Sequence, residues 1–459
     1  MKRWLWGGAG LVVLGVAIWA LAGNGEIMPR SQAAPSDAGT TDEDRLIVHE
    51  WGTFTSYSGS DGGRLEFRPL FDDDLPGFVH DRSTASGVGF LSKVNYRALV
   101  RMETPVTYFY TDVPRDVRVK VAFPQGLLTE FYPPVASFSP AYNSASETSA
   151  KNSSLDWGTV HLIPESQLRP QIKDERLARE VQRRTAAALP PRTDYNNHYA
   201  YARQTDSALV HIHRPADQKK WFEQERDHFE KFLFYRGIGD FKLPIRVQAL
   251  GDGKALVNNS GADPIVWMML LDSSAGALRY ATFDGVGAGQ QREVALPANP
   301  SEPEKLTHDL TDALVSTGLY RREAEAMVNT WKSSWFGEEG TRLLYFVPPK
   351  LTDELLPLTV EPKPAETIRV LVGRLDLMTP EQEAKVTQLV KESAAARNAA
   401  LQEVRETGKE FKYPLPESIR KLGRLAEPAL TRVRHVTGDN NLSWEAAALI
   451  SDLRAATEK

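Results

Sequence analysis

The sequence predicts a mainly β protein with an antiparallel sandwich or barrel-like core, an α+β completion of that core, and a small all-α segment at the C-terminus. From residue 45 onward, short apolar and aromatic runs alternate with Gly, Pro, Asn and Asp, which is the pattern of strands and turns. These runs lack the strand-helix-strand rhythm that would indicate a doubly wound parallel sheet. Helical spacing of apolar residues dominates only after residue 300.

The first 23 residues predict export from the cytoplasm. Lys2 and Arg3 precede an uncharged run over residues 4–23, and the positive-inside rule puts everything after this run beyond the membrane. A helix of about 19 residues is roughly 28 Å long, which is close to the roughly 30 Å of a bilayer core. The segment is therefore either a retained anchor, which contacts the membrane through residues 4–23, or a signal peptide cleaved after Ala22.

Residues 24–44 predict a flexible tether, because they are rich in Gly, Ala, Ser, Pro, Thr and acids and show no apolar period. Residues 45–300 predict a β-rich domain. Alternation is clearest in DVRVKVAF at 116–123, where valines and basic residues point to opposite faces. The strand candidates in this domain are 45–57, 105–112, 116–123, 127–133, 208–214, 231–237, 244–250, 264–272 and 277–283.

Residues 301–378 predict a mixed segment that packs on the β core. Leu306, Leu310 and Leu314 follow helical spacing, and a second helical pattern runs from about residue 321 to 336. Two apolar runs, at 341–348 and 366–378, then predict strands.

Residues 379–459 predict a helical segment. Thr379 and Gln382 fit a capping box, with Pro380 at the first helical position. The last stretch, 418–453, resembles one HEAT-type helix pair over about 35 residues, with Pro428 early in the second helix. One such pair is too small to form a solenoid, for which about three repeats are needed. It must therefore pack on the main body or form a contact surface for a protein partner.

The composition excludes several classes of protein. The net charge is −5, from 55 basic and 60 acidic residues, with no basic stretch that would indicate a nucleic-acid partner. Cysteine is absent, which excludes disulfides, iron–sulfur clusters, thiolate zinc sites and a cysteine nucleophile.

Histidines provide the candidate metal site. His211 and His213 alternate along a predicted strand, so both imidazoles point to one face with Cα atoms about 7 Å apart. His198, in a polar segment shortly before, is the nearest further histidine for a third ligand. A divalent metal is the one cofactor that the sequence suggests. The alternative interpretation is a solvated strand face that binds nothing.

Two other residues are candidates for chemistry. His49 lies on a predicted strand, and Glu50 points to the opposite face, so a catalytic role for His49 needs partners from elsewhere in the chain. Arg236 follows an aromatic run and precedes Gly237. It is a candidate for binding a carboxylate or phosphate, or alternatively for pairing with Asp240 across a turn.

The sequence contains no Walker loop, no dinucleotide-binding glycine motif, no H-E-x-x-H and no G-x-S-x-G. This favours a membrane-anchored cell-envelope protein that binds a ligand or acts as a scaffold. The alternative is an exported metal-dependent hydrolase of envelope or extracellular polymers. The expected location is the periplasmic side of the inner membrane, or a secreted or periplasmic one if the chain is cleaved after Ala22.

Overall fold

The computed structural model describes residues 45–67, 75–76, 78–81, 98–140, 151–168, 198–214, 226–274, 276–411 and 413–457, which belong to one compact unit. The predicted anchor and tether, residues 1–44, lie outside the described residues. Within the described part, no helix combines the length and the apolar character needed to span a bilayer.

Strands account for most of the described residues before Pro303. In chain order they are β1 (Ile47–Ser58), β2 (Arg64–Leu65), β3 (His80–Asp81), β4 (Val100–Tyr110), β5 (Arg115–Phe123), β6 (Gly126–Tyr132), β7 (Ser137–Ser139), β8 (Ser153–Ile163), β9 (Leu209–Arg214), β10 (Arg226–Glu230), β11 (Leu233–Gly239), β12 (Ile245–Gly251), β13 (Lys254–Asn259), β14 (Ile265–Ser274), β15 (Ala277–Val286), β16 (Gln291–Ala295), β17 (Gly340–Phe346), β18 (Leu358–Glu361) and β19 (Glu366–Leu377).

Among the described residues, helices are concentrated in the last third of the chain. They are α1 (Glu165–Leu168), α2 (His198–Ala202), α3 (Pro303–Ser316), α4 (Arg321–Lys332), α5 (Pro349–Leu355), α6 (Pro380–Thr407), α7 (Glu417–Arg420), α8 (Ala426–Val436) and α9 (Asn440–Thr457). A π-helical turn at Ser333–Gly337 extends α4, and a 3-10 turn at Gly423–Leu425 precedes α8.

The largest sheet has ten strands in the order β15-β14-β17-β19-β1-β4-β11-β6-β3, with β2 added to β1. All its pairings are antiparallel except that of β1 with β19, which is parallel. Parallel neighbours need a long connection, and these two are the first and the last of the described strands in chain order. The predicted fold class, mainly β with an α+β completion, is confirmed, and the sheet is mixed rather than wholly antiparallel.

One face of the large sheet packs on two smaller sheets. The six-stranded sheet has the order β10-β9-β8-β5-β18 with β7 added to β8, and the three-stranded sheet has the order β12-β13-β16. In β5, Val117, Val119 and Val121 are buried while Arg118 and Lys120 are exposed, as alternation predicts. The shared core combines these valines with apolar side chains from the large sheet, so the layers form a sandwich.

The other face of the large sheet is covered by α3 and α4. Leu306, Leu310 and Leu314 of α3 are fully buried, and Met327 and Trp331 of α4 pack in the same cluster as side chains of β1 and β4. The predicted helical spacing therefore marks the faces that cover the sheet.

The C-terminal helices pack at one end of the large sheet. α6 begins with the predicted capping box, in which the Thr379 side chain accepts from the Gln382 backbone and the Gln382 side chain accepts from the Thr379 backbone. The helix ends at Gly408, whose φ of 66° is the left-handed conformation that favours glycine. α6, α8 and α9 contact one another and share a cluster with Tyr57 at the end of β1.

Candidate functional site

His49 contacts a glutamate from α4. Its Nδ1 lies 2.7 Å from Oε2 of Glu323, and both side chains are fully buried. The same Oε2 accepts from the backbone N–H of Tyr320 at 2.9 Å, so the carboxylate also caps the start of α4. The pair therefore fixes the ring of His49 and joins the helical layer to β1.

Two tyrosines enclose this pair. The ring centroid of His49 lies 4.6 Å from that of Tyr320 and 5.3 Å from that of Tyr110. Burial, and after it the charge of Glu323, raises the pKa of Tyr110 far above its usual value, so this phenol stays protonated. The outer atoms, Nε2 of His49 and Oε1 of Glu323, have no hydrogen-bond partner among the described residues. A carboxylate at Nδ1 is also the arrangement of an acid–base dyad, but Nε2 of His49 is itself buried and lies out of reach of a substrate in this structure.

The sequence interpretation of His49 missed Glu323, which lies 274 residues away. A signal was present, because Glu323 precedes Met327 and Trp331 by four and eight residues and so lies on the buried stripe of α4. An acid on an apolar helical face is a candidate for a buried polar contact.

His211 and His213 point to one face of the six-stranded sheet, as their spacing predicts. His211 Nε2 lies 2.8 Å and His213 Nδ1 3.1 Å from the same oxygen, Oδ1 of Asp227 on β10. His161, from β8, lies beside His211 with ring centroids 5.4 Å apart, and its Nδ1 contacts Asp116. Hydrogen bonds from His211 and His213 lower the pKa of Asp227 below its usual range.

The third predicted ligand, His198, is the first residue of α2, and its side chain is not described. Across the described part of the chain, no group of three or more His, Asp and Glu residues has an arrangement suited to a metal ion. His49 lies in the large sheet and His211 in the six-stranded sheet, so the two candidate regions are separate.

Arg236 is buried within β11 rather than exposed at the end of a strand. The strand continues to Gly239, with a register shift between Arg236 and Gly237 in its pairing with β6. The side chain lies in a buried cluster of charges, where it helps to lower the pKa of Glu103. Gly237 is therefore a strand residue, and its close contact with the Leu127 carbonyl leaves no room for a larger side chain.

The described residues also form an open cleft between the end of the large sheet and the C-terminal helices. We call this opening, which has a volume of about 510 Å³, the basic cleft; residues of β17, β19, α6 and the segment 418–425 line it. Its cationic side chains outnumber its acidic ones, with Arg342, Arg374, Lys385, Lys421 and Arg424 against Glu338, Glu339 and Asp376.

The floor of the basic cleft is a buried network of charges. Asp376 accepts from Nε of Arg342 at 2.9 Å and from Nε of Arg374 at 2.8 Å. Burial opposes the charge of Arg374, but Asp376 and Glu338 outweigh it and raise its pKa. Arg374 therefore remains cationic, and its buried Nη1 has no hydrogen-bond partner in the described part of the chain.

The rim of the basic cleft carries free positive charge. Lys385 and Lys421 are exposed, and neither forms an ion pair with any described residue. Leu389 and Leu422 form an apolar wall of the cleft beside the two lysines. A cavity with cations beside an apolar wall suits an organic anion, because the cations pair with its acidic group and the wall contacts its apolar part.

Sequence reasoning did not find this cleft. A signal was available in the strand IRVLVGRLDL, where Arg374 and Asp376 interrupt an otherwise apolar run that both faces of a sheet would bury. The lysines carry no such signal, since single charges on helices are ordinary surface residues.

The comparisons with known proteins add no family to this description. No protein-family model matches the chain, and no curated protein matches it. The fold and the site geometry define a β-sandwich protein with a helical cap and a basic cleft.

Proposed function

We propose that the chain is an exported, membrane-anchored protein of the cell envelope that binds an organic anion in the basic cleft. Export rests on Lys2, Arg3 and the apolar run at residues 4–23. Binding rests on one observation: Arg374, with a buried and unpartnered Nη1 among the described residues, lies in a cleft whose rim lysines also lack ion-pair partners there.

Charge and shape support this choice of ligand. The cleft has three acidic side chains, but Asp376 is already bound by Arg342 and Arg374, and Glu338 contacts Arg374 and Arg424. Glu339 is exposed and forms no ion pair among the described residues, so it offsets one of the two lysines. The remaining positive charge attracts anions from solution. The class of ligand that fits is a carboxylate or phosphate attached to an apolar body.

Phenyl phosphate is a suitable probe, because it is soluble and carries both parts. We expect calorimetric titration of the full chain in a non-ionic detergent to show binding, and benzyl alcohol to bind far more weakly. The Lys385→Gln/Lys421→Gln double variant should raise Kd about tenfold, which is about 1.4 kcal/mol. The matched control is Lys350→Gln/Lys363→Gln, which removes the same charge from exposed positions that do not line the cleft. Equal affinity in the two double variants would refute the proposal.

The location has a separate test. Lys2 and Arg3 are expected to stay in the cytoplasm. A reporter enzyme fused after Lys459 should therefore be active on the far side of the inner membrane and not in the cytoplasm. Mass spectrometry of the mature protein distinguishes the anchor, which retains residues 1–22, from a signal peptide cleaved after Ala22. Reporter activity in the cytoplasm would contradict export.

A further inference from the structure

A second cleft borders the basic cleft. This second cleft has a volume of about 450 Å³ and lies at the N-terminal end of α6, beside β13 and β14. Thr341, Leu377 and Gln382 line both openings, so the two clefts meet along the junction of β17, β19 and α6. We call these two adjoining clefts together the groove.

The second cleft carries the opposite charge. Its two cationic side chains are already paired, Lys254 with Glu293 at 3.4 Å and Arg279 with Asp272 at 2.9 Å. Asp252 and Glu381 are exposed carboxylates that line the cleft, and neither has an ion-pair partner among the residues described. Hydrogen bonds from its own backbone and from Thr379 lower the pKa of Glu381, so it is ionised at neutral pH. The free charge at this end of the groove is therefore negative.

The two ends are close enough for one small molecule. Glu381 lines the second cleft and Lys385 the basic cleft, and the two residues are one turn apart on α6, which is a rise of about 6 Å. Their side chains do not pair with each other, although this spacing allows it. Leu377 lies at the junction, so the groove between the charged ends is partly apolar.

From this arrangement we propose that the ligand is a short peptide with free termini, whose carboxylate lies in the basic cleft and whose ammonium group lies in the second cleft. The proposal rests on the proposed function and specifies the class of its anion. An extended chain covers about 3.3–3.6 Å per residue, so two or three residues span the distance between the charged ends. Apolar side chains suit the wall formed by Leu377, Leu389 and Leu422.

Trileucine tests the proposal when it is compared with N-acetyl-trileucine and with trileucine amide, each titrated into the full chain in non-ionic detergent. We expect free trileucine to bind at least tenfold more tightly than either blocked peptide. In Asp252→Asn/Glu381→Gln, free and acetylated trileucine should bind with equal affinity. In Lys385→Gln/Lys421→Gln, free trileucine and its amide should bind with equal affinity. The matched control for the acids is Glu325→Gln/Glu354→Gln, which changes two exposed carboxylates that do not line either cleft.

The outcomes separate this inference from the proposed function. If the acetylated peptide binds as well as the free one while the amide binds poorly, the peptide inference fails and anion binding in the basic cleft stands. If phenyl phosphate binds and all three peptides fail to bind, the peptide inference also fails and anion binding in the basic cleft stands. If neither phenyl phosphate nor any peptide binds, both proposals fail.

Discussion

Adjacent residues of β1 are buried in two different ways. Both carboxylate oxygens of Glu50 accept hydrogen bonds. Tyr235 and Thr107 donate to Oε1 at 2.6 and 2.9 Å, and Nε of Arg369 donates to Oε2 at 2.8 Å. On the opposite face, His49 binds Glu323, and one atom of each group has no partner among the described residues. In the first network a guanidinium pairs with the carboxylate, and in the second a single imidazole does. The difference indicates that Glu50 joins strands of the large sheet to one another, whereas the His49–Glu323 pair joins the sheet to α4.

The largest effect is expected at Glu50. Replacing Arg369 by Met leaves a buried carboxylate without its charge partner, which typically costs about 3–5 kcal/mol. Urea unfolding followed by tryptophan fluorescence measures this loss in the free energy of unfolding. The Glu50→Gln/Arg369→Met double variant removes both charges and should recover most of the loss. A single variant as stable as wild type would show that Glu50 does not depend on Arg369.

A carboxylate that is paired with arginines should also lose its contribution to stability over a defined range of acidic pH. Burial alone would raise the pKa of Glu103, but Arg424 at 2.7 Å and Arg101 at 3.1 Å outweigh it, and the pKa falls to about 2. Because the folded pKa lies below the unfolded value, the contribution is present above about pH 4.5 and is lost as the pH falls to about 2. The shift corresponds to roughly 3 kcal/mol.

The measurement is the stability difference between wild type and Glu103→Gln across that range. We expect the difference to be largest near pH 7 and to vanish near pH 2. A difference that does not change between pH 4.5 and pH 2 would contradict ion pairing at Glu103.

The His49–Glu323 pair should give a smaller loss than Arg369→Met. In Glu323→Gln the amide oxygen can take the place of Oε2 and keep both of its hydrogen bonds, but the amide N–H groups then lie where Oε1 was, buried without an acceptor. We expect this to cost about 1–3 kcal/mol. Glu325→Gln, an exposed change two residues away on α4, should stay within about 0.5 kcal/mol. If Glu323→Gln costs as much as Arg369→Met, the distinction between the two networks is lost.

Sequence reasoning reached the alternation of β1 but not its consequences. Period-two geometry separates His49 from Glu50 correctly. It cannot show that α4 covers one face, or that β19 pairs with β1 and places Arg369 directly beside Glu50. The partners Glu323 and Arg369 were therefore out of reach, 274 and 319 residues away. Contacts of this separation are decided by topology, which local periodicity does not encode.

The same limit explains the strands that were missed. β8, SSLDWGTVHLI, contains Asp156 and Gly158 and begins with two serines, so its apolar residues looked too sparse for a strand. In the structure Leu155, Trp157, Val160 and Leu162 are buried. The strand is stabilised by neighbours on both sides, β5 and β9, rather than by its own propensity.

The smallest effect on stability is expected at His211 and His213, which are partly exposed and share Asp227 as a common acceptor. Because exposed substitutions usually change stability by no more than about 0.5 kcal/mol, His211→Ala/His213→Ala should have a free energy of unfolding in urea close to that of wild type.

Metal content is the more informative measurement for His211 and His213. The predicted divalent site requires stoichiometric zinc in the purified wild-type protein, a rise in Tm on adding zinc, and the loss of both in the double variant. His308→Ala, a change at an exposed histidine on α3, should affect neither. Wild-type protein without zinc and without a thermal shift would leave the two histidines as a solvated face of the six-stranded sheet.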